Sequence, residues 1–261
     1  MIRITGRDDL HRIVVLNPKG GCGKTTLSTN LASALALRGS PPTLLDCDPN
    51  GYVTSWVERR STRLPEVYGI RCYDEQTGEV PRSLQVQVPD DSHTVIVDMP
   101  AAIPRNRLYE YTHLGDTLLI PIQPSEIEVH SATRFIAELL LDAQLDRRAG
   151  SLAIVANRVR ARTRSYDRLM RFLTSLRIPL VATFRDSQNF VHAAANGIGI
   201  CELPAYRARQ DIPQIERVMS WIDKRRTIAT SRVRATDAPV SQLSERREPE
   251  AIRSGPERRL D

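Results

Sequence analysis

Apolar residues in this chain fall into short unbroken runs separated by segments of helical periodicity. Arg12–Leu16 (RIVVL), Thr43–Asp46 (TLLD), Thr94–Asp98 (TVIVD), Thr117–Pro121 (TLLIP), Leu152–Ala156 (LAIVA) and Leu180–Thr183 (LVAT) read as strands. Their apolar positions are continuous rather than alternating, which marks strands covered on both faces. Between them, Thr25–Leu37 reads as a helix with Leu27, Leu31, Ala34 and Leu35 on one face, ended by Gly39. Glu126–Leu141, Ser165–Leu176, Gln188–Asn196 and Gln214–Arg225 read as further helices. This alternation predicts an α/β fold: a mostly parallel twisted sheet with helices on both faces. There is no internal repeat.

The pattern fades at about Thr227. Thr227–Asp261 mixes Arg, Glu, Ser and Pro with few large apolar residues. Such a segment cannot bury enough surface to offset its ordering entropy. The expectation is one domain over residues 1–226 and a disordered charged tail over 227–261.

The chain has 261 residues, a net charge of +6 and 41% apolar residues. It has only three lysines, Lys19, Lys24 and Lys224, among 37 basic residues. The basic balance permits an anionic partner such as DNA. Cys22, Cys47, Cys72 and Cys201 show neither metal-ligand spacing nor a disulfide framework, and read as reduced thiols. No signal-peptide pattern opens the chain. No apolar run approaches the roughly 20 residues that span a bilayer. A cytoplasmic protein is expected.

Two of the three lysines stand in one loop, NPKGGCGKTT (Asn17–Thr26), between the first strand and the first helix. A strand, a glycine loop and a helix N-terminus make an anion site from backbone N–H groups. Gly20, Gly21 and Gly23 permit close backbone approach. Lys24 is placed to reach the β- and γ-phosphates of a nucleotide, and the Thr25 hydroxyl to ligate Mg²⁺. Cys22 and Thr26 complete the cradle. This is a P-loop NTPase pattern, and ATP with Mg²⁺ is the expected ligand pair.

The second lysine narrows the pattern. PKGGCGKTT (Pro18–Thr26) resembles the deviant Walker A loop of the ParA/MinD group of P-loop ATPases. In that group the early lysine, here Lys19, crosses an ATP-sandwich dimer to the partner's nucleotide. NLASALALRG (Asn30–Gly39) resembles the group's first helix. LLDCDPNG (Leu44–Gly51) resembles its D-x-D-P-Q-G segment, with Asn50 where glutamine is usual. VIVDMP (Val95–Pro100) resembles its Walker B strand, and FRDSQN (Phe184–Asn189) the region after the sixth strand. The resemblance covers about Arg12–Asp223. It implies that Lys19 and Asp48 act in catalysis, Asp48 by positioning the attacking water. Asp46 and Asp98 are implied near Mg²⁺, and Asn157 against adenine.

Within the group, several branches fit poorly. Iron proteins need a cysteine after the Walker B strand, and none falls between Cys72 and Cys201. MinD proteins end in an amphipathic membrane helix, whereas Glu248–Asp261 carries two prolines and no apolar face. Short ParA-type organisers remain. The resemblance then implies an ATP-dependent homodimer, non-specific DNA binding, association with the nucleoid when ATP-bound, and hydrolysis stimulated by a ParB- or McdB-like adaptor on a cargo. Arg158, Arg160, Arg162, Arg164, Arg168 and Arg171 form the candidate DNA-binding cluster, with Arg207 and Arg209 a second. DPNGYVTSW, PSEIE, ANRV and FRDSQNF resemble the carboxysome-positioning subgroup, while plasmid or chromosome cargo stays open. Two other classes also stay open: a ligase of dethiobiotin-synthetase type, and a nucleotide-gated scaffold that does not hydrolyse.

Overall fold

The computed structural model describes residues 2–141, 150–160, 163–176 and 178–236. One compact unit spans residues 1–226 and a second begins at Thr227. The strands are β1 (Ile2–Thr5), β2 (His11–Val15), β3 (Thr43–Asp46), β4 (Tyr68–Arg71), β5 (Leu84–Gln87), β6 (Thr94–Asp98), β7 (Thr117–Ile122), β8 (Leu152–Val159) and β9 (Leu180–Arg185). The helices are α1 (Lys24–Leu37), α2 (Tyr52–Glu58), α3 (Arg105–Thr112), α4 (Glu126–Leu141), α5 (Arg164–Leu176), α6 (Gln188–Ala195), α7 (Ala205–Ala208) and α8 (Ile212–Thr236).

Seven strands form one sheet in the order β4-β3-β6-β2-β7-β8-β9, and every pairing in it is parallel. β1 and β5 pair in a separate two-stranded sheet. Successive side chains of the central strands point to opposite faces. Val14, Val95, Val97, Leu118 and Ile154 meet α3, α4 and α5 through Leu108, Phe135, Ile136 and Leu169. Ile13, Val15, Leu44, Ile96 and Val155 meet α1, α2, α6 and α8 through Leu27, Leu31, Trp56, Phe190 and Val218. Both faces are thus covered, as the unbroken apolar runs require.

Parallel strands bring their carboxyl ends to one rim. Val15 of β2 lies opposite Asp98 of β6, and Asp98 lies opposite Asp46 of β3. The phosphate-loop candidate therefore leaves the sheet next to two carboxylates far from it in sequence.

The last helix departs from expectation. α8 runs to Thr236 and so takes in the first ten residues of the predicted tail. Its extension contains neither glycine nor proline to stop the helix, and the next proline comes only at Pro239. The rest of the predicted tail lies outside the described residues. Among the described residues, no helix is long and apolar enough to cross a membrane.

Candidate nucleotide-binding site

The loop between β2 and α1 is built on backbone that only glycine takes easily. Gly21 has φ 76° and Gly23 has φ 101°, both left-handed. Gly23 caps α1, so the free N–H groups of the first helical turn open onto the loop.

Three amide side chains brace the loop, one at its own start and two from other strands. Asn17 Nδ2 donates to the Pro121 carbonyl at 2.7 Å, while its Oδ1 accepts the Lys19 N–H at 2.9 Å. Gln123, just past β7, donates to the Gly21 carbonyl at 2.6 Å. Asn157 Nδ2 donates to the Cys22 carbonyl at 2.8 Å. None of these bracing roles was foreseen. The only available signal was position, since each amide lies at or just past the carboxyl end of a central strand.

The two lysines are in opposite environments. Lys24 is buried, and its ammonium donates to the carbonyls of Asn17 (3.0 Å) and Lys19 (3.3 Å). Lys19 itself is exposed. Beside Lys24, the Thr25 hydroxyl donates to Asp98 Oδ2 at 2.7 Å and Ser28 to Asp98 Oδ1 at 2.8 Å. Asp98 is fully buried, and desolvation lifts its pKa to about 7 against the opposing pull of these two hydroxyls.

Asp46 turns elsewhere. Its Oδ2 accepts the Thr54 N–H and hydroxyl, both at 2.8 Å, which anchors the start of α2, and its Oδ1 accepts the Asp48 N–H at 3.3 Å. Burial raises its pKa. Asp48 is nearly buried, and its Oδ1 accepts both the N–H (3.0 Å) and the side-chain amide (2.7 Å) of Asn50.

These groups border a cavity of about 470 Å³. Gly20, Gly21, Lys24, Thr25, Thr26 and Asp48 form its polar floor. Tyr52 and Trp56 of α2 and Arg59 just past its end, with Thr29 of α1, form another wall; sequence reading had missed them. Tyr52 and Trp56 are four apart and so share one face of α2. Cys22 presents no surface to the cavity, and its side chain is buried.

Two of the expected site residues make contacts within the chain. Asn157, expected against adenine, has both ends of its amide engaged here, with the Cys22 carbonyl and the Arg158 N–H. Arg158, assigned to DNA, lines the phosphate-loop cavity and has φ 50°, which re-aims it. Arg160 pairs with Asp186 at 2.7 Å. Arg162 lies outside the described residues. Arg164, Arg168 and Arg171 are exposed at i, i+4 and i+7 on α5, which places them on one face.

A strand-loop-helix cradle with a buried lysine and a hydroxyl–carboxylate pair is the geometry of a phosphate site. The CobQ/CobB/MinD/ParA nucleotide binding domain matches over residues 13–200. The chain belongs to that family. It is 28% identical over 211 residues to the "Maintenance of carboxysome distribution protein A" of Halothiobacillus neapolitanus, covering 80% of this chain and 95% of that protein. Two solved structures share the fold. The ATP complex of McdA from Cyanothece has a TM-score of 0.59 at 18% identity, covering 84% of this chain and 97% of that one. The Mg-ADP complex of MinD from Pyrococcus horikoshii has a TM-score of 0.53 at 17% identity, covering 92% and 100%.

Proposed function

We propose that this protein is a ParA-type ATPase that binds ATP and Mg²⁺, dimerises around the nucleotide, and positions a cellular cargo over DNA. The observation that carries this reading is the pairing of a buried Lys24 with an exposed Lys19 in one glycine loop. One is placed for the chain's own nucleotide. The other has no such task within its own subunit and faces outward to a second copy.

The residues fit the ligands. Lys24 holds only backbone carbonyls, which it can exchange for phosphate oxygens. Asp98 is a carboxylate buried beside a threonine hydroxyl, and a cation there would draw its pKa back down. Among the described residues no cluster of three or more His, Cys, Asp or Glu could hold a metal ion. A Mg²⁺ here would therefore rest on Thr25, Asp98, phosphate and water. When bound, the ion neutralises charge on the transferring phosphoryl group.

The chain's own residues then do the following. The Thr25 hydroxyl fixes the geometry by its bond to Asp98. Asp48, held by Asn50 on the cavity wall, orients a water toward the terminal phosphate. Lys19 adds a positive charge from the partner subunit, so that hydrolysis waits on dimerisation. The arginine face of α5 grips DNA phosphates without reading sequence. An adaptor of ParB or McdB type would trigger hydrolysis and release. The carboxysome-distribution relative makes a carboxysome one candidate cargo. Such a protein would be cytoplasmic and nucleoid-associated in its ATP state.

The deciding experiment measures DNA binding by the full chain with ATP, with ADP and with neither, at two salt concentrations. Salt-sensitive binding with ATP alone is expected. Lys19→Ala should still bind ATP as a monomer but lose the dimer and its hydrolysis, and Asp48→Ala should stay ATP-bound on DNA. Absence of DNA binding in every state would overturn the DNA part, and normal hydrolysis by Asp48→Ala would overturn the water-positioning role.

A further inference from the structure

A second cavity of about 300 Å³ backs onto the nucleotide cavity. The two share Asp48, Asn50 and Ala101 as a common wall. The second cavity lies between the loop carrying Asp48 and the loop that follows β6, and nothing in the nucleotide reading uses it. Pro49, Pro100 and Pro104 present flat apolar rings, and Tyr111 of α3 contributes an aromatic one.

Among the described residues, one buried polar side chain that lines this cavity makes no hydrogen bond. Tyr111 is buried, and its hydroxyl has no hydrogen-bond partner among the described residues. A buried unpaired hydroxyl costs free energy that a ligand can recover. Burial keeps it an O–H by raising its pKa to about 12. The charged groups nearby are already engaged or repel anions. Arg107 donates to the Val80 carbonyl at 2.6 Å, pairs with Glu110, and stacks 4.6 Å over the Tyr111 ring. Asp48 and Glu79 are carboxylates. An anion is disfavoured, and a neutral planar group fits the proline walls.

The wall is also mechanically placed. Ala102, beside the shared Ala101, has φ 56°, a strained value for a residue with a Cβ, and its N–H is tied to the Pro18 carbonyl at 3.1 Å. A group wedged under this loop pushes on a strap that reaches the residue before Lys19, and on the wall that carries Asp48.

We propose that this cavity is an effector site for a small neutral aromatic molecule bearing one hydrogen-bonding atom, which pairs with the Tyr111 hydroxyl, and that its occupancy changes nucleotide affinity through the shared wall. The binding half stands on the cavity alone; the coupling half rests on the nucleotide reading.

Indole is the probe, titrated into the full chain and followed by NMR chemical shifts. Nine heavy atoms at a per-atom efficiency between the drug-sized value and that of the best tiny ligands give a Kd of about 0.1–1 mM. Tyr111→Phe removes only the unpaired hydroxyl, should fold normally, and should weaken indole roughly fivefold. Val80→Phe should fill the cavity and abolish binding. If that variant fails to fold, Tyr111→Phe alone decides. No saturable shift below about 5 mM, or an unchanged Kd in Tyr111→Phe, overturns the site. The titration is repeated with Mg²⁺ and rising ADP. A change in indole affinity that levels off as ADP saturates is the expected coupling, equal in both directions. No change overturns the coupling. A loss that grows without limit places indole in the nucleotide cavity and overturns the proposal. Failure to bind ADP at all would sink the nucleotide reading and the coupling with it, while the titration without ADP still decides the site.

Discussion

The side-chain amide of Asn157 stands 1.9 Å from where a Cβ on Gly23 would fall. The two residues interlock: the amide fills the space that the glycine leaves, and it braces the neighbouring Cys22 carbonyl. The glycine is required twice, by this contact and by its φ of 101°. Gly23→Ala is expected to destabilise the protein by about 2–4 kcal/mol, from overpacking and left-handed strain together. It should also lose measurable ATP binding. Asn157→Ala should cost only about 1–2 kcal/mol, for the hydrogen bonds to the Cys22 carbonyl and the Arg158 N–H. Urea unfolding and nucleotide titration of both variants check this. Equal, small losses would mean that the interlock is unimportant.

The arginine face of α5 predicts a distribution of effects on DNA binding. Replacing Arg164, Arg168 and Arg171 together by alanine should reduce the log–log salt slope by about 2–3, at roughly 0.9 per phosphate contact. Replacing Arg160, which is held by Asp186, should change it by less than about 1. Binding isotherms from 50 to about 200 mM salt would separate the two. An unchanged slope in the triple variant would move the DNA face elsewhere.

Arg60 and Glu202 form a buried two-pronged ion pair, with Nη1 to Oε2 at 2.9 Å, and both side chains are almost wholly shielded. Arg60 also lies 5.2 Å over the Trp56 ring, which backs the nucleotide cavity. Arg60→Met strands the carboxylate and should cost about 3–5 kcal/mol. Adding Glu202→Leu should restore much of the loss, although the Gly199 N–H then loses its acceptor. A double-mutant cycle in urea gives the answer, and a single variant as stable as the parent would refute the burial argument.

His11 predicts a pH effect. Burial lowers its pKa, and its Nε2 sits 3.0 Å from the Thr117 hydroxyl. Asp116 and Asp223 oppose the shift, while Arg12 and Arg226 reinforce it. With the folded pKa below the unfolded value of about 6.5, the unfolded chain takes up the proton first. Stability is therefore full above about pH 6.5 and falls below it, through the folded pKa. His11→Gln should show a shallower fall in Tm between about pH 7.5 and 5.5. Parallel curves would show that other groups carry the acid sensitivity.

The central strands and the phosphate loop were legible because their signals are local. Runs such as Thr94–Asp98 are buried on both faces, and glycines around a lysine admit few readings. The edges were not legible. β4 is half exposed with a burial pattern that alternates, and β1 and β5 pair only with each other, across some eighty positions. α2 was hidden because it starts at Gly51 with φ 65° and buries only Val53 and Trp56. The use of Asn157 depends on register shifts between β8 and β9 and on the positive φ of Arg158, which no run of letters announces. Asp46 closes β3, but its hydrogen bonds follow from Thr54, a partner eight residues on that the strand pattern does not mark.

The strand order also sets a timetable. β2 sits at the centre of the sheet, yet its neighbours β6 and β7 are made much later in the chain. The first of them begins at Thr94, about 80 residues after β2 ends at Val15. At a synthesis rate of 5–20 residues per second, both edges of β2 stay unpaired for roughly 4–16 s as the chain emerges. During that interval the central strand of the site, and the lysine loop behind it, are open to any other strand nearby. The strand that carries the phosphate loop thus waits for both its neighbours to be made before any nucleotide has a place to bind.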